Sequence, residues 1–246
     1  MIQTLGETIG HLDGHVAPID SRPARLERDG QRLDGGLALL AMGQTLDQFP
    51  LFPLDLVLLP QELVPLHIFE ERYKRMVADC LEGDSDFGIV WLSDEGLKEV
   101  GCCARITRVL ERFEDGRSNI LVQGTAPFRL LRRIDELPYP AGEVALLDDE
   151  EEADPEAAEA ARTRYSRLVA EVTDEPPDAD ELASLDAYGM AATLDVALEA
   201  KQALLELRSE PERLAQLATL FADALGRIRH AERAAERARG NGHVRG

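Results

Sequence analysis

His67, set between Leu66 and Ile68, is the one histidine that falls inside the expected fold, while His11, His15, His230 and His243 lie toward the two ends. An imidazole in that position becomes a general base only if a nucleophile and an orienting group stand beside it. The chain carries no such set. It has no Gly-x-Ser-x-Gly elbow and no His-Glu-x-x-His helix. It also lacks a Gly-x-x-x-x-Gly-Lys-Ser/Thr phosphate loop and a Gly-x-Gly-x-x-Gly after a strand. His67 therefore reads as a hydrogen-bonded structural residue beside a helix start. Cys80, Cys102 and Cys103 are too few for a disulfide framework, and no Cys or His pair has zinc-ligand spacing. Adjacent Cys102 and Cys103 point to opposite faces if they sit in a strand, which favours small core hydrophobes over redox chemistry. In the acidic run from Asp148 to Asp154, consecutive acids do not converge on one ion, so it reads as a solvated linker. No catalytic residue, metal or cofactor is expected.

Charge narrows the partners. Of 246 residues, 47 are acids and 27 are lysine or arginine, a formal charge of -20. That balance opposes phosphate backbones and anionic membranes, so nucleic acid is disfavoured although Arg129, Arg132 and Arg133 form a local basic cluster. No basic segment followed by an apolar run marks a leader, and no window reaches the ~20 apolar residues of a membrane span. A bacterial, cytoplasmic protein is expected.

These residues are positioned by the stretch from Leu51 to Val77. Leu51 to Leu59 is almost wholly apolar, is interrupted by Pro53 and closed by Pro60, and reads as an extended strand at a sheet edge. After Val64-Pro65-Leu66-His67-Ile68-Phe69 the period turns helical. Tyr73, Met76, Val77, Cys80 and Leu81 form the inward stripe, and Gly83 stands where a helix end wants positive φ. Glu71, Arg72 and Arg75 fall on the charged side of this helix, beside apolar neighbours at the helix-to-sheet junction, and are the candidate binding residues.

Upstream, residues 1–46 are glycine-rich with little periodicity and read as a loosely ordered extension, with Met42 as a candidate true start. Downstream, residues 47–147 carry the β pattern. Strands are expected at Phe87–Leu92, at Val100–Phe113 with Ala104, Ile106 and Leu110 on one face, at Asn119–Gln123, Phe128–Ile134 and Glu143–Leu147. Glu114-Asp115-Gly116 supplies a hairpin turn. The result is a small, curved mixed sheet or partly open barrel with one inserted helix, an α+β architecture. Residues 148–153 are the linker, 154–238 a helical bundle and 239–246 a disordered tail. Asp154-Pro155 caps the first bundle helix, whose stripe is Ala161, Tyr165, Leu168, Val169 and Val172. A second helical region carries Leu182, Leu185, Leu194, Leu198, Leu204, Leu205 and Leu207, with an interruption near Asp195-Val196. Ser209-Glu-Pro-Glu212 opens a last helix with Leu214, Leu217, Phe221, Leu225 and Ile228 inward.

Taken together, Leu51-Phe-Pro-Leu through Leu59-Pro60, Val64 to Glu70, Arg72-Tyr73 and Met76 resemble the signature of the substrate-binding N-terminal domain of Lon proteases. The likeness continues through Gly101–Ile106, Asp115-Gly116-Arg117, Asn119–Leu121, Gly124, Phe128-Arg129, Lys201–Glu206 and Arg213-Leu214, over roughly residues 49 to 226. The resemblance implies a PUA-like β pseudo-barrel followed by an α-helical bundle, and a surface that binds protein or unfolded polypeptide. It implies no proteolysis here, because neither the ATPase nor the peptidase module is found and the chain is too short for them. The alternatives are RNA binding, as in other PUA-like barrels, and a hydrolase in name by resemblance only.

Overall fold

The computed structural model describes residues 44–149, 154–173 and 175–241. Met42 and nearly all of the expected N-terminal extension lie outside the described residues, as do residues 242–246.

The first strand, β1 (Thr45–Leu54), begins earlier than the apolar run suggests, so Thr45 and Leu46 belong to the sheet. It is also not an edge strand. It pairs antiparallel with β7 (Ala141–Leu146) from Thr45 to Pro50, then parallel with β3 (Phe87–Ser93) from Leu51 to Leu54. Because the partner changes at Pro50, each of the two strand prolines has one side free of a ladder, which is what a residue without an N–H needs. The chain leaves the sheet after Leu54, yet Val57, Leu58 and Leu59 remain buried in the loop. A strand the periodicity had not separated, β2 (Leu63–Ile68), follows with Val64, Leu66 and Ile68 inward. It pairs along β6 (Ser118–Ile134).

Five strands close a ring in the order β1-β7-β6-β5-β3 and back to β1, where β5 is Val100–Arg112; the short β4 (Gly96–Leu97) folds back antiparallel on the end of β3. Every ring strand sends a side chain to a small cluster inside it: Phe49 and Leu51, Val90, Cys103, Phe128 and Val144. Phe128 is the plug, fully buried and edge-on to Phe49 at 5.7 Å. Its bulk fits because Gly101 lies opposite; a Cβ there would stand 2.8 Å from the Phe128 ring and 2.5 Å from the Ile89 carbonyl oxygen. Cys102 faces the other way, into the main core, as strand alternation requires.

The ring is uneven. Bulges in the β5–β6 pairing between Ile106 and Arg108 and between Val109 and Glu111 reset the alternation. Val109 therefore joins Ile106 against the core, and Leu110, expected on that face, is 46% exposed. The two strands expected at Asn119–Gln123 and Phe128–Ile134 are one continuous strand, β6, bent by these irregularities.

Helix α1 (Glu71–Gly83) lies on the outer face of the ring through Tyr73, Met76, Val77 and Cys80. Leu81 is 38% exposed, since it sits at the margin of that stripe, and the left-handed residue is Asp84 rather than Gly83. The bundle comprises α2 (Pro155–Thr173), α3 (Ala179–Ser184), α4 (Ala187–Ala192), α5 (Leu198–Glu206) and α6 (Glu210–Asn241). Asp154 caps α2 by accepting the Ala157 N–H at 3.3 Å. Ala161, Tyr165 and Leu168 are buried as their spacing indicates, while Val172, on the final turn beyond the bundle's packed part, is 65% exposed. Helix α4 escaped the sequence reading because it is six residues long and nearly all of it is buried, leaving no polar face to mark a period.

Ring and bundle share one core, in which Val57, Leu58 and Leu59 join Tyr188, Leu204 and Leu217. The acidic segment is not simply solvated where it is described. Asp149 pairs with the buried Arg213, which also bonds Glu210 at 2.8 Å and the Leu207 carbonyl and lies over the Tyr188 ring. Burial alone would lower the Arg213 pKa; Asp149, Tyr188 and Glu210 reverse this and hold the guanidinium charged. Asp148 adds its carbonyl oxygen to Arg208. Among the described residues, no helix is long and apolar enough to cross a membrane.

Candidate functional site

The three candidate residues lie at the start of α1, immediately after β2, and each is committed to a local partner. Glu71 pairs with Lys74 at 2.8 Å. Arg72 pairs with Glu70 at 2.8 Å and lies over the Tyr73 ring at 4.6 Å. Arg75 pairs with Asp79 at 2.9 Å, and Asp79 also accepts the Tyr139 hydroxyl at 3.1 Å. Burial, then that hydrogen bond to Asp79, pushes the Tyr139 pKa up. The three charges share the outward side of one helix without converging on a point.

What the fold does bring together is aromatic. The turn between β5 and β6 needs Gly116 at φ 81°, and Lys74 reaches it from α1 by donating to the Asp115 carbonyl oxygen at 3.0 Å. This sets Phe113 against His67, edge to face at 6.1 Å. His67 in turn stacks on Phe69 at 5.9 Å with the planes 22° apart. Arg117 covers Phe113 at 5.2 Å and pairs with Asp115. Phe69 itself is 45% exposed, a large ring left in water at the mouth of α1. The resulting patch runs from Arg72 through Phe69 and His67 to Phe113 and Arg117, and combines exposed apolar area with paired charges.

His67 is hydrogen-bonded as expected, its Nδ1 2.7 Å from Asn119 Oδ1. Its hydrogen-bond and ring partners are the Asn119 amide and the Phe69 and Phe113 rings, none of them a nucleophile. The cysteines are buried and unpaired: burial raises the Cys80 thiol to about 11 and the Cys103 thiol to about 12, and pushes Cys102 well up. Among the described residues no cluster of His, Cys, Asp and Glu could hold a metal ion. Arg129, Arg132 and Arg133 sit near the far end of β6, where Arg132 pairs with Glu143 at 3.2 Å, and take no part in the patch. Phe69 and Phe113 were not singled out by sequence reasoning. They are 44 residues apart in sequence order, and only the β2–β6–β5 register, His67 opposite Asn119 opposite Glu111, brings them near each other.

A five-stranded closed β ring with one inserted helix, backed by a helical bundle, places the chain in the PUA-like fold class. More narrowly, the chain belongs to the LON substrate-binding domain family: the family model for the ATP-dependent protease La (LON) substrate-binding domain matches residues 48–223. Lon protease 2 of Myxococcus xanthus is 31% identical over 176 residues, 64% of this chain and 21% of the relative. The Lon protease of Anaeromyxobacter dehalogenans is 30% identical over the same shares. The chain thus spans about a fifth of the length of these relatives. Among solved structures, a Lon N-terminal domain protein from Xanthomonas campestris is 29% identical with a TM-score of 0.55, covering 71% of this chain and 98% of that one. The N-terminal domain of the Mycobacterium avium complex Lon protease, 20% identical with a TM-score of 0.53 over 73% of this chain and 99% of its own, shares the fold.

Proposed function

We propose that this chain is a non-catalytic module that binds unfolded polypeptide or a partner protein, with no ATPase or peptidase activity of its own. The carrying observation is the half-exposed Phe69, stacked on His67 and flanked by Phe113, Arg72 and Arg117 on a LON substrate-binding fold. Exposed aromatic area beside guanidinium groups is the chemistry that recognises apolar segments of an extended chain. Glu71, Arg72 and Arg75 border this surface and supply charge at its rim, where ion pairs steer association more than they hold it. The decisive experiment is binding of a permanently unfolded, fluorescently labelled protein, with Arg72 and Arg75 reversed to Glu and, separately, Phe69 replaced by Ala. Binding that weakens with Phe69→Ala and becomes less salt-dependent with the reversals is expected. Undiminished binding in both would remove the site, and casein cut by the purified chain, with or without ATP, would overturn the non-catalytic reading.

A further inference from the structure

Three residues that lie side by side across β2, β6 and β5 form a hydrogen-bonded row: His67, Asn119 and Glu111. Glu111 Oε2 accepts from Asn119 Nδ2 at 3.0 Å. A carboxylate can only accept, so the Asn119 amide is oriented with its nitrogen toward Glu111 and its oxygen toward His67. The short contact between Asn119 Oδ1 and His67 Nδ1 then requires the proton to be on Nδ1. In the neutral ring Nε2 is consequently an acceptor, and it has no hydrogen-bond partner among the described residues. The imidazole is half-buried, held between Phe69 and Phe113.

The electrostatics around it select what it can accept from. The three cations that the fold brings to the patch are already matched: Arg72 by Glu70, Lys74 by Glu71, and Arg117 by Asp115. With these cations matched, the patch offers no free positive charge to attract an anion, and its complement is a hydrogen-bond donor next to an apolar group. A polypeptide segment supplies both, with a backbone N–H beside an apolar side chain.

We propose that His67 is the polar recognition point of this surface: its Nε2 accepts a hydrogen bond from a backbone N–H of a bound unfolded segment, while Phe69 and Phe113 take the neighbouring apolar side chain. The inference rests on the polypeptide-binding reading above and adds to it a residue, a tautomer and a direction of hydrogen bonding. Asn119 and Glu111 are positioning residues, acting only through the ring they orient.

The test uses the full chain and a permanently unfolded, fluorescently labelled protein as probe. His67→Phe keeps an aromatic ring and removes the acceptor; about five-fold weaker binding is expected, the value of one hydrogen bond of ordinary strength. Asn119→Ala releases the tautomer and should weaken binding by about half that factor. The readout a packing role would not move is the ¹⁵N resonance of His67 Nε2, which should shift toward the hydrogen-bonded position when probe is added and stay fixed when it is not. If Phe69→Ala abolishes binding while His67→Phe binds normally and the Nε2 resonance does not move, the His67 assignment is wrong and the surface stands. If Phe69→Ala binds normally, the surface itself is wrong.

Discussion

Lys201 Nζ lies 2.5 Å from Glu62 Oε1, joining the bundle helix α5 to the loop before β2, with both side chains almost wholly removed from solvent. Glu62 uses its second oxygen to accept the Leu59 N–H at 3.0 Å, so the same carboxylate also pins the apolar Val57–Leu59 loop. Next to Lys201, Gln202 donates to the Val100 carbonyl oxygen at 3.2 Å. Ring and bundle are therefore locked by polar contacts inside a shared apolar core. Removing one partner of a buried ion pair strands the other charge and costs about 3–5 kcal/mol. Lys201→Met should lose stability of that order in urea unfolding. Adding Glu62→Gln, which removes the second charge but keeps an acceptor for Leu59, should recover most of it.

Gly101 and Phe128 give a second prediction. The side chain a Gly101→Ala change adds must displace either the Phe128 ring or the Ile89 backbone. Overpacking costs typically 1–3 kcal/mol, and here a backbone atom is one of the two obstacles, so a loss of about 3 kcal/mol is expected. Phe128→Ala should cost about 3–5 kcal/mol by opening a cavity inside the ring. Thermal unfolding of each variant checks both values.

These two sites show what the sequence made legible. Gly101, Phe128, Lys201 and Gln202 stood out as family-like residues, and the helical stripes through Tyr73 and Leu214 read directly from their 3.6 period. Their partners did not. That Lys201 meets Glu62, or that Gly101 makes room for Phe128, depends on pairings between residues far apart in the chain. Bulges in β5 and β6 defeated the simple alternation at Leu110, and the unbroken β6 was invisible because Gly124 to Pro127 looks like a break. The patch suffered most, since Phe69 and Phe113 come from opposite sides of a register that no local pattern encodes.

A third prediction concerns pH. Burial holds the Cys80 thiol at about 11 and the Cys103 thiol at about 12. Their folded pKa values lie above the ordinary thiol value of about 8.5, so their contribution to stability is fully present below about that value and is lost as pH rises through about 11 and 12. Stability should accordingly fall on the alkaline side, from about pH 9 upward. In the native protein at pH 8, a thiol-reactive disulfide reagent should label none of the three cysteines, and all three should react in denaturant. Rapid labelling of the folded chain would contradict this burial.

Tyr139 offers a control for experiments on the charged rim. Its hydroxyl bonds Asp79, the same carboxylate that holds Arg75. An Arg75→Glu change therefore places two carboxylates together beside Tyr139 and loosens the β6–β7 loop from α1, as well as altering the rim. Tyr139→Phe removes the loop contact alone. It should lower stability by about 1 kcal/mol in denaturant titration while leaving polypeptide binding within two-fold, as a rough bound. Weakened binding in Tyr139→Phe would mean that Arg75 acts through the loop rather than at the surface.

Phe69 separates stability from function most cleanly. It is a large apolar side chain at the fold's surface, 45% exposed, while Phe128 is fully buried and Phe52 packs on Tyr73 at 4.1 Å. A ring that keeps nearly half its area in water gives up much of the gain from burial, so Phe69→Ala should change unfolding free energy far less than a core truncation, by about 1 kcal/mol or less. The same change removes the broadest apolar surface of the patch and the face on which His67 stacks. If the surface binds extended chains, affinity for an unfolded protein should fall about ten-fold, as for the loss of a buried aromatic anchor at an interface. A fold needs no such residue at that place. Loss of affinity with stability nearly intact would mark Phe69 as held for recognition, whereas a large loss of stability with unchanged affinity would make it part of the packing of α1.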